Sequence, residues 1–85
     1  MSFDEAFEIF VKRMKDKILE KEVKHGNFSL LKTGVYKIDR SPITRHFWEE
    51  IQEAASDCNN PDEFVDVSNM AFFEFWWLEE NCQNE

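Results

Sequence analysis

Four carboxylates occur at two matched spacings in the second half of the chain. Glu50 and Glu53 lie three residues apart, and Glu63 and Asp66 repeat that spacing after a short interval. On a helix, side chains three residues apart share a face, with their Cβ atoms about 5 to 6 Å from each other. Carboxylate oxygens are the ligands that Mg²⁺ and Mn²⁺ prefer. Two such pairs that face each other can therefore enclose one divalent cation.

The residues between the two pairs predict that the pairs do face each other. Residues 57–60 read Asp-Cys-Asn-Asn, which is typical of a turn, and a proline suited to the start of a helix follows. A short connection makes antiparallel helices whose axes lie about 8 to 10 Å apart. In such a hairpin Glu53 lies level with Glu63, and Glu50 lies level with Asp66. All four side chains are then expected to converge on one point.

A simpler interpretation is that these acids are ordinary surface groups. The helix dipole alone favours an acidic side chain in the first turn, so Glu63 needs no ion to explain it. Asp66 argues against this interpretation, because it lies beyond the first turn among Phe64, Val65 and Val67, where an unpaired carboxylate is costly. Four converging carboxylates also repel one another and raise their pKa values. We therefore expect a divalent cation as the counter-charge.

Capping and proline signals predict three helices in a single domain that covers residues 1–85. Ser2 and Glu5 have the spacing of a capping box, and Ser41 and Asn60 each precede a proline as helix caps do. The predicted helices cover about 2–23, 42–56 and 61–80, and residues 27–41 form an irregular connection. The predicted fold class is all-α, with three helices in a helical bundle.

Charge and length exclude several classes of protein. The chain has 85 residues and a formal net charge of −8, so it lacks the clustered cations that a nucleic-acid-binding protein needs. An anionic substrate would require a cation as intermediary. No apolar run approaches the roughly 20 residues that span a bilayer, and the first 20 residues are charged throughout, unlike a signal peptide. The sequence predicts a cytoplasmic protein with no membrane or nucleic-acid partner.

The third predicted helix is apolar on most of its circumference, and a helix of that kind is normally buried on all sides. Two other short helices cannot cover it, and a domain of this size buries only about 60% of its unfolded surface. We therefore expect a homo-oligomer, with Phe72, Phe73, Trp76 and Trp77 near the interface. The alternative is an exposed apolar patch that docks a different protein.

The acidic segments resemble a known family. Glu49-Glu50-Ile51-Gln52-Glu53 followed by Glu63-Phe64-Val65-Asp66 is similar to the Glu-Glu-x-x-Glu and Glu-x-x-Asp motifs of the MazG-like, all-alpha nucleoside triphosphate pyrophosphohydrolases. The stretch Asp66-Val67-Ser68-Asn69 resembles an Asp-Val-Ala-Asn element of that family. The interval between the motifs is shorter than is usual in the family. The likeness covers the second and third predicted helices well and the first loosely.

This resemblance implies a fold, an activity and roles for particular residues. The fold would be a MazG-like helical bundle completed by dimerisation, sometimes doubled to a tetramer. The activity would be Mg²⁺-dependent hydrolysis of a nucleoside triphosphate to the monophosphate and pyrophosphate, in nucleotide-pool housecleaning. The metal ligands would be Glu50, Glu53, Glu63 and Asp66, with Mn²⁺ as an alternative ion. A first-motif carboxylate, Glu49 or Glu50, would act in catalysis, and Asn69 would lie near the nucleotide.

Other residues are candidates for substrate binding on their chemistry alone. Lys24, with Lys32, Arg40 and Arg45, can bind phosphate oxygens, although each is individually more typical of a surface charge. Trp48 can stack on a base, although aromatic residues on helices are more often core. A different class of function also fits the sequence. A non-catalytic helical dimer that acts as a protein-interaction or regulatory module would use the aromatic third helix as its docking surface.

Overall fold

The computed structural model describes residues 1–25, 34 and 38–81, with the side chains of residues 22–25 left outside that description. These residues form three α-helices: α1 covers Phe3–His25, α2 covers Arg40–Ser56 and α3 covers Pro61–Asn81. The described residues contain no strand, so the predicted all-α class with three helices is confirmed. Most of the predicted irregular connection over residues 27–41 lies outside the described residues.

Two of the three predicted helix starts are confirmed by their caps. The Ser2 hydroxyl accepts from the Glu5 amide at 3.2 Å, and Glu5 Oε1 accepts from the Ser2 amide at 3.3 Å, which is the reciprocal capping box. Before α3, Asn60 Oδ1 accepts from the Asp62 amide at 3.1 Å. These side chains satisfy amide groups that the first turn of a helix leaves without intrahelical partners.

The predicted cap of α2 is wrong. Asp39, rather than Ser41, is the N-cap: its Oδ1 accepts from the Ser41 amide at 3.1 Å, and its own backbone is extended. A charged carboxylate is a stronger acceptor for these amides than a serine hydroxyl, and it also interacts favourably with the helix dipole. Pro42 still lies within the first turn, where the proline's missing amide costs nothing.

Helices α2 and α3 form the predicted antiparallel hairpin, and α1 makes fewer contacts with α3 than α2 does. The turn is fixed by backbone hydrogen bonds, including Asp57 N to Glu53 O at 3.0 Å and Asn60 N to Asp57 O at 3.1 Å. Ile43 of α2 and Phe73 of α3 form the buried centre, and further apolar side chains pack around it: Ile18, Ile38, Met70, Trp76 and Trp77. This core is small, so only a few apolar side chains position the two helices of the hairpin.

A polar anchor fixes α2 against the far end of α3. Arg40 donates from Nε at 3.1 Å and from Nη2 at 2.7 Å to one oxygen of Glu74, and the Thr44 hydroxyl donates at 2.7 Å to the other. The Trp77 indole N–H donates to the Ile38 carbonyl at 3.0 Å, and the Arg40 guanidinium lies 5.6 Å from the Trp77 ring centre. These contacts and the turn fix the hairpin at both ends, so the residues between them are held in register.

The aromatic residues of α3 divide into two groups. Phe73 is only 3% exposed and lies in the core of this single chain, so no partner is needed to cover it, and its predicted place near an interface stays a prediction. Trp77 is also engaged within the chain through Ile38 and Arg40. The opposite group is exposed and consists of large apolar side chains: Phe64, Phe72, Phe75 and Leu78. Intrachain packing therefore covers only part of the helix circumference.

None of the three helices, within the ranges described, has the length and apolar character that crossing a membrane requires.

Candidate metal centre

Three of the four predicted ligands meet between α2 and α3. Glu50, Glu53 and Glu63 each place a carboxylate oxygen so that the three oxygens lie within 4.8 Å of one another. This set is the carboxylate cluster. Glu50 and Glu53 lie one turn apart on α2, and Glu63 lies in the first turn of α3, directly across the hairpin. The three glutamates form a group that could hold a metal ion.

Two oxygens of the cluster are buried and have no hydrogen-bond partner in the described part of the chain. They are Oε2 of Glu50 and Oε2 of Glu63. Glu50 as a whole is only 7% exposed, and its other oxygen, Oε1, lies 3.0 Å from Nε2 of His46. A buried carboxylate oxygen without a partner is costly, and buried polar groups of this kind are normally satisfied by protein, water or an ion. The donor set therefore fits a hard cation.

The environment disfavours the charged form of Glu63. Its pKa is raised above the usual value of 4.5, first because of desolvation and then because of the nearby charges of Glu53, Asp66, Asp57 and Glu50. In the described residues, no lysine or arginine forms an ion pair with Glu50, Glu53 or Glu63. The cluster thus carries like charges that lack a fixed counter-charge.

The fourth predicted ligand, Asp66, points to a different partner. Its Oδ1 accepts from Nζ of Lys17 on α1 at 3.0 Å, and both side chains are partly buried. Asp66 does not join the three glutamates in the cluster. It nevertheless lies close enough for its charge to contribute to the raised pKa of Glu63. Of the four carboxylates that were predicted to converge, three do so, and Asp66 instead forms an ion pair with Lys17 that the prediction did not contain.

Glu49 lies beside the cluster and is exposed. An open groove of about 500 Å³ is lined by Glu49, Gln52, Glu53, Ser56 and Glu63. Two cluster members, Glu53 and Glu63, thus line this groove together with the exposed carboxylate of Glu49. The arrangement leaves room for a ligand that reaches the cluster from solvent.

The predicted substrate-binding residues are not gathered at one place. Trp48 is 58% exposed and lines a second open groove, of about 540 Å³, with Arg40, Ser41, Thr44 and Arg45. Asn69 is buried on α3, one turn beyond Asp66, and its Oδ1 has no partner among the described residues. Lys24 belongs to α1, but its side chain lies outside the described residues, as does Lys32.

We expect that replacement of Glu63 by glutamine stabilises the ion-free protein at neutral pH. Because the folded-state pKa of Glu63 is raised, the unfolded chain ionises first as the pH rises, and folding loses stability until the folded-state pKa is passed. Above that pH the penalty is constant, and below the unfolded-state value it is absent. Thermal unfolding in a chelator should therefore show a higher melting temperature for Glu63→Gln at pH 7 and a smaller difference at pH 4.

Glu79→Gln is the control for this experiment, because it removes the same charge from the exposed end of the same helix. The increase in melting temperature for Glu63→Gln could instead be equal at both pH values, or equal to that of Glu79→Gln. Either result would show that the carboxylate cluster does not penalise the charged form of Glu63.

Two residues of the site had no part in the sequence-based prediction. His46 lies four residues before Glu50, a spacing that places both on one helical face, so this contact was available from the sequence. Lys17 is 49 positions from Asp66, and no local pattern distinguishes it from the other lysines of α1. Only the packing of α1 on α3 selects it.

No family model matches the chain, and the comparisons with curated proteins and with solved structures give no significant match either. The proposed function therefore rests on the geometry of the carboxylate cluster and on the resemblance of its motifs.

Proposed function

We propose that this protein is a Mg²⁺-dependent nucleoside triphosphate pyrophosphohydrolase, which converts a ribo- or deoxyribonucleoside triphosphate to the monophosphate and pyrophosphate. The observation that carries the proposal is the carboxylate cluster, in which Glu50, Glu53 and Glu63 place carboxylate oxygens within 4.8 Å of one another, while Glu50 and Glu63 each have a buried oxygen without a hydrogen-bond partner among the described residues. Like charges this close together, one of them on the buried Glu50, do not stabilise a fold unless a counter-charge is present, and no lysine or arginine of the described residues supplies one. A bound cation would supply that counter-charge.

The residues that would hold the cation are Glu50, Glu53 and Glu63, with Asp66 as the proposed fourth ligand. Their ligand atoms are all carboxylate oxygens, which favours Mg²⁺ or Mn²⁺ over metals that select sulfur or imidazole. When bound, such a cation neutralises the triphosphate and lowers the pKa of a coordinated water. It would also allow a chain of net charge −8 to bind a strongly anionic substrate.

Glu49 is the proposed general base. It is exposed, it lines the groove beside Glu53, and its role does not require it to hold the cation. In the proposed reaction, Glu49 accepts a proton from the attacking water as the water oxygen bonds to the α-phosphorus. The bond between the α-phosphorus and the bridging oxygen breaks, and pyrophosphate leaves. A positioned carboxylate in this role contributes about 10²- to 10⁴-fold to the rate.

The nucleoside end of the substrate is proposed to lie along α2 toward Trp48. Trp48 and Gln52 are one turn apart on α2, as are Arg45 and Glu49, so the two grooves follow one another on the same helix. Trp48 offers an exposed ring for a base, and Arg45 forms no ion pair within the described part of the chain. Asn69 and Lys24 remain predicted substrate contacts that rest on the likeness and on side-chain chemistry.

The wider biological setting is proposed on the same likeness. We propose that the chain has the MazG-like fold, acts in cytoplasmic nucleotide housecleaning, and assembles as a homodimer or tetramer. The exposed apolar group on α3, defined by Phe64, Phe72, Phe75 and Leu78, supports the assembly, because a second copy can cover the surface that α1 and α2 leave open.

Pyrophosphate release from a panel of ribo- and deoxyribonucleoside triphosphates, standard and modified, is the experiment that tests the activity. We expect release that depends on Mg²⁺ or Mn²⁺ and stops in a chelator, with the monophosphate as the only nucleotide product. A diphosphate product, or release that is equal with and without the ion, contradicts the proposal.

The exposed apolar group also supports a second candidate function. A helical module without catalytic activity could use the same surface to dock another protein. Divalent-ion binding separates the two functions, because a docking module has no need of the carboxylate cluster. A melting temperature that is unchanged by Mg²⁺ and Mn²⁺ would favour the docking module.

A further inference from the structure

Lys17 reaches from α1 to the edge of the carboxylate cluster. Its Nζ donates to Asp66 Oδ1 at 3.0 Å across a gap of 49 positions in sequence, and the pair is partly buried between α1 and α3. Asp66 shares a helical face with Glu63, which lies three residues before it. Lys17 therefore places an ammonium group next to a site built from carboxylates.

The ammonium group of Lys17 is held in an ion pair at this position. It donates a hydrogen bond to Asp66 and lies near the further carboxylates of Asp62 and Glu63. The charge of Asp66 is thus compensated within the chain. Glu50, Glu53 and Glu63 have no comparable lysine or arginine among the described residues.

We propose that Lys17 is a phosphate-binding residue that Asp66 holds in place until a divalent cation occupies the carboxylate cluster. On binding of the cation, Asp66 exchanges Lys17 for the cation, and the released ammonium binds a phosphate oxygen of the triphosphate. This inference depends on the proposed function, since it assigns a further residue to the same site. The cation and Lys17 thus compete for Asp66, whereas Lys17 binds the phosphate.

The exchange keeps charges paired in both states. Without the cation, Lys17 prevents Asp66 from adding a fourth uncompensated charge beside three glutamates. With the cation and substrate bound, the cation compensates the carboxylates, and Lys17 faces one of the phosphate charges. Loss of one charge-assisted hydrogen bond lowers a binding constant about tenfold or more. Replacement of Lys17 should therefore increase the affinity for the cation and decrease the affinity for the triphosphate.

The test is the variant Lys17→Met, with two affinities measured by calorimetry. The first is the affinity of the ion-free protein for Mn²⁺, which we expect to increase about tenfold, because Asp66 no longer has a competing partner. The second is the affinity of the Mg²⁺-saturated protein for inorganic tripolyphosphate, which stands for the triphosphate of the substrate. We expect this affinity to decrease about tenfold, because the phosphate loses its ammonium partner.

Lys12→Met is the matched control. Lys12 is also on α1 and also pairs with an aspartate, Asp16, at 2.7 Å, but that pair is exposed and lies outside the site. It removes the same charge, so both affinities should stay close to those of the wild type. Lys17→Gln is a second variant, for use if circular dichroism shows that Lys17→Met does not fold. Its amide can still donate to Asp66 but carries no charge, so both affinities should shift in the same directions as in Lys17→Met, with a smaller gain in Mn²⁺ affinity.

The outcomes separate this inference from the proposed function. If the wild type binds no Mn²⁺, both are overturned. If the wild type binds Mn²⁺ but the Lys17 variants match Lys12→Met in either affinity, only the role of Lys17 is overturned, and its ion pair then serves to fasten α1 to α3.

Discussion

Replacing Glu50 by glutamine is expected to reduce Mn²⁺ affinity by at least about 100-fold and to reduce pyrophosphate release by a similar factor or more. Loss of a group that merely orients a ligand costs about 10- to 100-fold in affinity, and loss of a ligand itself should cost at least the upper end of that range. Glu50 is the most buried member of the carboxylate cluster, with one oxygen on His46 and the other unpartnered. Isothermal titration with Mn²⁺ measures the first effect directly.

The glutamine variant is suited to this test because it should fold. The glutamine amide has the shape of the carboxylate, and its oxygen can still accept a hydrogen bond from His46. The variant also removes one of the charges that raise the pKa of Glu63, so the ion-free protein should not be destabilised. Thermal unfolding in a chelator verifies this before the titration is interpreted.

Glu49→Gln is the matched control. It removes the same charge from the adjacent residue of the same helix, but Glu49 is exposed and lies outside the cluster. We expect it to keep Mn²⁺ affinity within about threefold while pyrophosphate release falls about 10²- to 10⁴-fold, the range for loss of a general base. Wild-type affinity in Glu50→Gln would falsify the assignment of the cluster as the ion site.

The site was predictable from the sequence to the extent that it depends on helical spacing and a short turn. The positions of Glu50, Glu53 and Glu63 follow from a three-residue spacing and a common midpoint in the hairpin, and their oxygens do converge. The partner of Asp66 does not follow from such rules. Its ion pair depends on where α1 packs, and the sequence of α1 does not specify which of its lysines faces α3.

The starts of α1 and α3 were predictable because their caps depend on neighbouring residues in sequence. The start of α2 is the exception. The capping box at Ser2 and the cap at Asn60 use side chains within three residues of the amides that they satisfy. At α2, the prediction named Ser41, but Asp39, two residues earlier, forms the cap. The Ser-Pro signal thus located the start of α2 to within two residues without identifying the capping side chain.

The burial of aromatic residues was the least predictable feature, because composition gives an amount of apolar surface and not its direction. Phe73 and Phe75 are two residues apart on α3, which places them on different faces. Phe73 is 3% exposed and packs with Ile43, whereas Phe75 is 59% exposed. Two phenylalanines of similar sequence context thus have different roles, one within the chain and one on the proposed interface.

Phe73→Ala is expected to lower the free energy of unfolding by about 3 to 5 kcal/mol, since it leaves a cavity beside Ile43 in a core with few other members. Domains are stable by only about 5 to 15 kcal/mol, so this variant should be largely or partly unfolded at moderate temperature. The loss should be the same at every protein concentration, because the packing lies within one chain. Urea unfolding measured at several protein concentrations gives this value.

Phe75→Ala is the counterpart on the exposed face, and it should behave in the opposite way. We expect it to weaken self-association about tenfold or more, as truncation of a buried aromatic at an interface does, and to have little effect on the unfolding of the dilute chain. Sedimentation velocity across a concentration series measures the association. If the wild type is monomeric at all concentrations, or if Phe75→Ala associates as the wild type does, the apolar group of α3 is not the surface that joins two copies. The incompletely covered face of α3 would then favour a different protein as its partner.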